Sequence, residues 1–537
     1  RMSSLSLKSD LVVVNAEVVS LDEDGSVAEA VAIRNGIIVY VGDNAGIEKF
    51  TGSETETLDA RGHALVPGLI DSHIHLIWFG FALHRLDFRE VDSIENLKKA
   101  VASKAGELED DDWILGAGWD QERFKEERYP NRWDLDEAAP RHPVLLHRVC
   151  SHIGVANSSA LEHLGISEET PDPPGGTIDR NKDTGQPTGI LRETAMEEAM
   201  EKVPPPSPED YVEAAVNALQ FAASRGLTTL HFVSVTPEEL RACQELHRRG
   251  QLPVRLRLYV WVDWVDSMLE LGVERGLGDD WLRIQGVKLY VDGSLGARTA
   301  LMREPYSDEP DNLGMARLEK EELERIVKKT ARAGLQLAIH GIGDRGVEWA
   351  LEALEKVTGK GGNPLRHRVE HASVLAPDLI ERMAQNGILA TVQPRFIISD
   401  FWTVDRVGEE RARWVYPFKT MLASGVRTSF SSDCPVDPLD PIYQMYSAIG
   451  RGGKEGIEAY KLTKKEAVSA KEALRLYTVA GAYAAHDENR LGSIEVGKLA
   501  DMVLLSGNPL ETSLDDFLDT EVLATIVGGK IVYRRRN

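Results

Sequence analysis

Eight short apolar runs, separated by amphipathic or loop-like sequence, constrain this chain more than any other feature. They lie near 66–75, 227–233, 254–262, 284–291, 335–340, 366–371, 387–393 and 426–432. Helical stretches such as Glu209 to Arg225 and Val347 to Val357 fall between them. Strands alternating with helices are the pattern of parallel βα units. Eight such units predict an α/β fold of the (β/α)8 TIM-barrel type, whose chemistry gathers at the C-terminal ends of the strands. The interval between the first two runs is far too long for a simple crossover. It holds an insertion at about 77–205, rich in Trp, Pro and Gly and able to cover a barrel mouth.

The two ends of the chain read differently from its middle. Residues 10–62 alternate as β-strands, with Asn35-Gly36 as a hairpin turn signal, and the segments 499–505 and 525–533 answer in kind around Gly528-Gly529. The expectation is a small β-sandwich domain made by residues 1–64 and 481–537, flanking a barrel over 65–480. No tract approaches a membrane span or a signal-peptide core. Three cysteines, Cys150, Cys243 and Cys434, stand far apart with no C-x-x-C spacing, which fits a reducing compartment such as the cytoplasm. A formal charge of -24 argues against nucleic acid or an anionic membrane as partner and leaves a small molecule.

Polar residues recur where the barrel would collect them. The first run ends in Asp71-Ser72-His73-Ile74-His75, and two histidines two apart on a strand face the same side. Imidazoles so placed can share one divalent cation, and zinc suits them. The fourth run carries Lys288, the fifth ends in His340, the sixth in His371 and the eighth in Asp433. Taken singly, each has a structural explanation: a lone strand-end histidine fills space, Lys288 pairs with Asp292, Asp433 caps a turn. Taken together, they read as a metal site.

These residues resemble the metal-dependent amidohydrolase superfamily. The phrases GVKLYVDGSLGARTA, HGIGDRG, RHRVEHA and SSDCPVDP are similar to its YtcJ-like branch, which includes N-substituted formamide deformylases. The resemblance runs from Asp10 to Tyr533 and specifies superfamily better than substrate. It implies that His73, His75 and Asp433 hold one metal ion and that His340 and His371 hold a second. Lys288 would be carboxylated to bridge the two. A single-ion site with Asp433 as base is the alternative if Lys288 stays unmodified. Zinc is the expected metal, and iron, manganese or cobalt fit the same donors. The implied reaction is hydrolysis of an amide, formamide or related non-peptide C–N bond by a metal-activated hydroxide, with Asp433 carrying the proton. A homodimer follows from family habit alone.

For substrate contacts the sequence offers His152, Trp119, Arg298 and Gln393, with Asp120, Gln121, His147, Arg148, Asn157 and His231 as weaker candidates. Rival readings remain at this stage. The same metal site could serve a deaminase, isomerase or decarboxylase, and a barrel can also persist as a non-catalytic scaffold. Gly341, Gly343 and Gly346 match G-x-G-x-x-G after a strand, with Glu370 at the end of the next, as in a dinucleotide-binding oxidoreductase. That reading leaves the histidines and Asp433 unexplained.

Overall fold

Eight parallel strands form one sheet in the computed structural model, which describes residues 8–148, 152–359 and 362–536. They are β1 (Leu69–Ile74), β2 (Leu227–Val235), β3 (Arg255–Trp261), β4 (Leu282–Tyr290), β5 (Gln336–Gly341), β6 (Arg368–His371), β7 (Leu389–Val392) and β8 (Thr428–Phe430). Each coincides with one of the eight apolar runs. Such runs are expected where strands are covered on both faces, and every residue of β1, β5, β6, β7 and β8 is buried. The seam between β8 and β1 draws together just beyond the strand ends. Asp433 N–H donates to His73 O at 2.9 Å, and His75 N–H donates to Cys434 O at 2.9 Å. Below them the buried Asp71 carboxylate accepts the Ser432 N–H at 3.1 Å. The result is a nearly closed TIM-type barrel.

Its interior is polar. Tyr259 of β3 donates to Gln336 of β5 at 2.9 Å, and Gln285 of β4 donates to the same oxygen at 3.1 Å. Arg368 of β6 reaches His231 of β2 at 3.1 Å and lies 4.3 Å over the Tyr259 ring. Contacts between strands that are not neighbours in the sheet place these side chains inside the barrel. A polar interior is tolerated only where its members satisfy one another.

The two ends of the chain meet. Met502–Leu505 pairs antiparallel with Ala64–Pro67, in a six-stranded sheet that also takes in Glu17–Val19, Val27–Ala28, Val522–Val527 and Lys530–Arg534. A four-stranded sheet of Leu11–Val14, Ala30–Arg34, Ile37–Gly42 and Glu56–Asp59 shares one apolar core with it, Val13 and Ile33 packing with Leu504 and Ile526. Both expected hairpin turns are present. Asn35 and Gly36 have φ of 52° and 75°, Gly528 and Gly529 56° and 75°, the pair of positive φ values a tight hairpin requires.

Gly80–Asp210 forms a compact unit of its own. The composition of this insertion gave no hint of its architecture. It contains a six-stranded mixed sheet, in the order Gly176–Arg180, Pro187–Glu193, Ile153–Ala156, Val144–Arg148, Ile114–Trp119, Leu86–Asp87. One core gathers Leu97, Val101, Leu135 and Leu146, a second Leu145, Leu161, Leu191 and Met196. Its strands are short and its pairings mixed, so no single period marks them. Cys243 and Cys434 are buried free thiols, and Cys150 lies outside the described residues. Among the described residues no helix is long and apolar enough to cross a membrane.

The far end of the barrel is anchored by ion pairs to the segment that follows β8. Arg257 Nε lies 2.7 Å from Asp487 Oδ2, and Arg283 reaches the other oxygen. Burial opposes ionisation of Asp487, but the two guanidiniums outweigh it and hold the carboxyl below its ordinary value. A folded pKa below the unfolded one gives stability that is complete above the unfolded value near 4. That stability is lost as pH falls through the folded value. Asp487→Asn is therefore expected to cost about 3 kcal/mol at neutral pH. The gap to the parent should close below about pH 4 in urea unfolding; a gap independent of pH would contradict the assignment.

Candidate metal centre

The expected metal ligands converge at the C-terminal end of the barrel. His73 sits within β1 and His75 just past it, His371 ends β6, His340 lies near the end of β5, and Asp433 follows β8. Nε2 of His73 and Nε2 of His75 lie 3.2 and 3.3 Å from the same oxygen, Asp433 Oδ1. The His371 ring centroid is 5.0 Å from that of His73 and 4.5 Å from that of His340. One ligand atom from each of His73, His371 and Asp433 falls within 4.8 Å of the others. His371 and Asp433 take φ of 74° and 58°, conformations that L-residues adopt at a cost and that cluster at functional sites. The Ala372 N–H bond to Gly341 O at 2.9 Å, and that of Asp433 to His73 O, fix these turns.

Three of the histidines have one ring nitrogen committed and the other uncommitted. Nδ1 of His73 bonds to Glu370 Oε2, Nδ1 of His371 bonds to Gln393 Oε1 at 2.7 Å, and Nε2 of His340 bonds to Gly293 O at 2.8 Å. Each of these partners is an acceptor, so each ring donates there and keeps a lone pair on its second nitrogen. Metal-ligating histidines are held in this way. Among the described residues, His73 Nε2, His340 Nδ1, Asp433 Oδ1 and Lys288 Nζ are buried without a hydrogen-bond partner. The uncommitted lone pairs of His73, His340 and Asp433 fit a bound cation.

The electrostatics agree. Burial, with the neighbouring Lys288 charge, pushes His340 down to about 3, and burial with His340 beside it pushes His371 well below the ordinary imidazole value. Burial also lowers His75. These rings are neutral and able to ligate. Burial opposes charging of His73, yet Asp433 and Glu370 raise its proton affinity, so two buried carboxylates call for positive charge here. Asp433 itself is held well below the carboxylate range, His73 and His75 outweighing the burial.

Glu370 has a different role from the one its spacing suggested. It is fully buried between Arg368, whose Nε lies 2.6 Å from Oε1, and His73. The glycine fingerprint is likewise a packing device. A Cβ on Gly343 would lie 2.0 Å from Leu301 O, and one on Gly346 would lie 2.3 Å from Asp292 Oδ2. Asp292, the structural alternative as a partner for Lys288, accepts backbone N–H bonds from Leu301, Ile342 and Gly343 at 2.9 to 3.1 Å. Burial pushes its carboxyl up to about 7. The barrel and these contacts remove the dinucleotide-binding reading.

The candidate substrate contacts fare unevenly. A cavity of about 520 Å³ opens over His75, His340, His371 and Asp433. Gln393 orients His371 and donates to Ser431 Oγ at 2.9 Å, and it is not part of the cavity lining. Arg298 is committed to Asp308 at 2.7 Å and Glu309 at 3.2 Å, also off the lining. In the Gly80–Asp210 unit, Trp119 is fully buried and donates to Leu146 O at 2.9 Å, a core role. His152 is exposed and paired with Glu193 at 3.0 Å. Arg148 holds Asp120 at 2.8 Å, and Asn157 caps the helix Ser158–Leu164. His231 fills the barrel interior against Arg368.

The amidohydrolase family profile matches residues 56–533. The chain belongs to the amidohydrolase family. It is 34% identical to YtcJ of Bacillus subtilis (strain 168) over 96% of this chain and 97% of that protein. It is 30% identical to the N-substituted formamide deformylase of Arthrobacter pascens over 98% of each. The crystal structure of an uncharacterized metal-dependent hydrolase from Pyrococcus horikoshii superposes with a TM-score of 0.78 at 34% identity, over 94% of this chain and 99% of that one. An amidohydrolase of this kind is a metal-dependent hydrolase, and His73, His371 and Asp433 form its candidate metal-binding group. Because Glu370 fixes the His73 ring, Glu370→Gln is expected to weaken ion retention about 10- to 100-fold in chelator competition. Unchanged affinity in a variant that melts like the parent would contradict that role.

Proposed function

We propose that this amidohydrolase cleaves a non-peptide C–N bond, with an amide or N-substituted formamide as substrate, at a site built from His73, His75, Lys288, His340, His371 and Asp433. The carrying observation is the convergence of the neutral, singly committed His340 and His371 with His73 and an ionised Asp433 under one cavity. Kinship with the formamide deformylase supports the choice of bond. Zinc suits nitrogen and oxygen donors of this kind. Such a cation, when bound, makes water acidic near neutral pH and polarises a carbonyl.

The chain's own groups do the rest. Asp433 stays ionised at neutral pH, so its carboxylate accepts the proton of the attacking water. The same carboxylate then delivers that proton to the departing nitrogen as the C–N bond breaks. Trp78, Trp261, Tyr290 and Phe396 line the cavity and give the substrate apolar walls. Lys288 is fully buried, its Nζ 3.5 Å from the Tyr290 ring centroid and without a hydrogen-bond partner among the described residues. A bare ammonium is costly there. Addition of carbon dioxide to the neutral amine, with loss of a proton, would give a carbamate whose oxygens suit a cation.

Zinc-loaded protein offered a panel of N-substituted formamides and amides should release acid and amine in equal amounts; no cleavage across the panel would refute the reading. Asp433→Asn is expected to retain ions but lose about 10²–10⁴-fold in kcat, and near-parental turnover would remove Asp433 as proton carrier. Native mass measurement should find the parent heavier than its sequence by one carbon dioxide, an excess absent in Lys288→Met. A parent of unmodified mass would rule out carboxylation.

A further inference from the structure

The cavity over the metal centre has a second chemical character. Its walls are aromatic and follow the site histidines closely. Trp78 lies 5.6 Å from the His75 ring, Tyr290 lies 4.6 Å from His340, and Phe396 stacks at 6.3 Å on His371, all between centroids. Trp261 adds an edge contact to Tyr290 at 5.3 Å. Among the described residues lining this cavity, Arg317 is the sole lysine or arginine.

Several arginines of the chain are held by carboxylates. Arg298 is paired with Asp308, Arg303 with Asp378 and Glu348, and Arg395 with Asp437. Among the described residues no carboxylate pairs with Arg317, in a chain whose net charge is -24. Its guanidinium lies 5.4 Å over the Tyr290 ring, and its backbone N–H donates to Val291 O at 2.7 Å, just past β4. Arg317 is exposed at the cavity mouth, so its position is tethered while its guanidinium is left to solvent and the Tyr290 ring. On the same cavity wall Ser234 has φ of 59° and a buried hydroxyl without a hydrogen-bond partner. Strained backbone and an unsatisfied polar atom mark a place that a ligand completes.

We infer that Arg317 is a specificity-determining residue that binds an anionic group of the substrate. The substrate class is an N-acyl amine whose amine portion carries both an aromatic ring and a carboxylate. This rests on the amide-hydrolase reading above and sharpens it. The aromatic ring packs among Trp78, Trp261 and Phe396, where apolar area leaves water and ring edges meet ring faces. The carboxylate meets the planar guanidinium, which offers two parallel N–H donors. Arg317 and His340 both contact the ring of Tyr290, so the anionic group sits within a few bonds of the scissile one. For an N-formyl substrate, water oxygen forms the new C–O bond, the C–N bond breaks, and a proton passes to nitrogen. The products are formate and a free amino acid-like amine.

Two measurements on the metal-loaded protein test this. The first follows tryptophan fluorescence during titration with 3-phenylpropionate and with its neutral counterpart, 3-phenylpropanamide. The parent is expected to bind the carboxylate about tenfold more tightly, and Arg317→Gln should abolish the preference. A parent without preference overturns the proposal, as does a variant that keeps it, since the carboxylate would then be held elsewhere. The second compares hydrolysis of N-formylphenylalanine with that of N-phenethylformamide, which lacks only the carboxylate. The ratio of their kcat/KM values should be about ten in the parent, matching the binding preference, and fall toward unity in Arg317→Gln, through KM. A ratio unmoved by the substitution overturns the proposal. If neither formamide is cleaved while the binding preference depends on Arg317, the anion site stands and the amide-hydrolase reading fails.

Discussion

A carboxylate buried in the middle of a barrel must be answered, and Glu370 is answered by the Arg368 charge on one side and a hydrogen bond from His73 on the other. Arg368 holds one oxygen at 2.6 Å and His73 takes the other. Removing any member of such a chain would strand an uncompensated charge in a dry interior, which is why buried pairs specify structure more reliably than they add stability. The consequence reaches upward. With Nδ1 committed to Glu370, His73 can present only Nε2 to the barrel mouth, 3.2 Å from Asp433. Arg368 in turn is fixed by Ser72 O at 3.0 Å and by the Tyr259 ring, so the metal-facing atom is positioned by contacts several layers below it.

The polar interior explains why the barrel can be deep and still precise. Layers of Val and Ile would pack as tightly, but they would leave the imidazoles free to rotate. Here Gln393 locks His371, and Gly293 O locks His340. The loop that supplies Gly293 is itself held by Asp292, whose carboxylate gathers backbone N–H groups from two loops. Glycine at 343 and 346 lets those loops approach closely enough for this to happen.

Much of this architecture was legible in the sequence because burial on both faces turns a parallel strand into a continuous apolar run. The polar residues that interrupt the ends of those runs, His73, His340, His371 and Asp433, marked the site because barrels gather chemistry at one end. The role of Glu370 was not legible, because a motif spacing records distance along the chain and not direction. A signal was present: Arg368 and Glu370 alternate with Val369 on a strand buried throughout, so both had to face the interior and needed partners there. Trp119, Arg298 and Asn157 could not be placed by residue type alone. Their partners, Leu146 O, Asp308 and the cap of the helix Ser158–Leu164, lie on elements whose juxtaposition no local pattern encodes. The sheet of Gly80–Asp210 was hidden for a related reason, its parallel and antiparallel pairings leaving no common period.

The donor set and the barrel set the kind of chemistry, and the walls above them must set its object. Relatives that share a metal centre share the means of activating water, so the bond attacked depends on what the cavity holds in place. Here four aromatic side chains come within contact distance of the site histidines or of one another, and one guanidinium lies among them. Aromatic walls alone would accept any apolar substituent and discriminate weakly, because an apolar pocket gains only modestly from each added group. A guanidinium discriminates more strongly, because a carboxylate gives it two parallel charge-assisted hydrogen bonds that a neutral group cannot. Arg317 is exposed, so water solvates it in the free protein and the gain is the difference between the two.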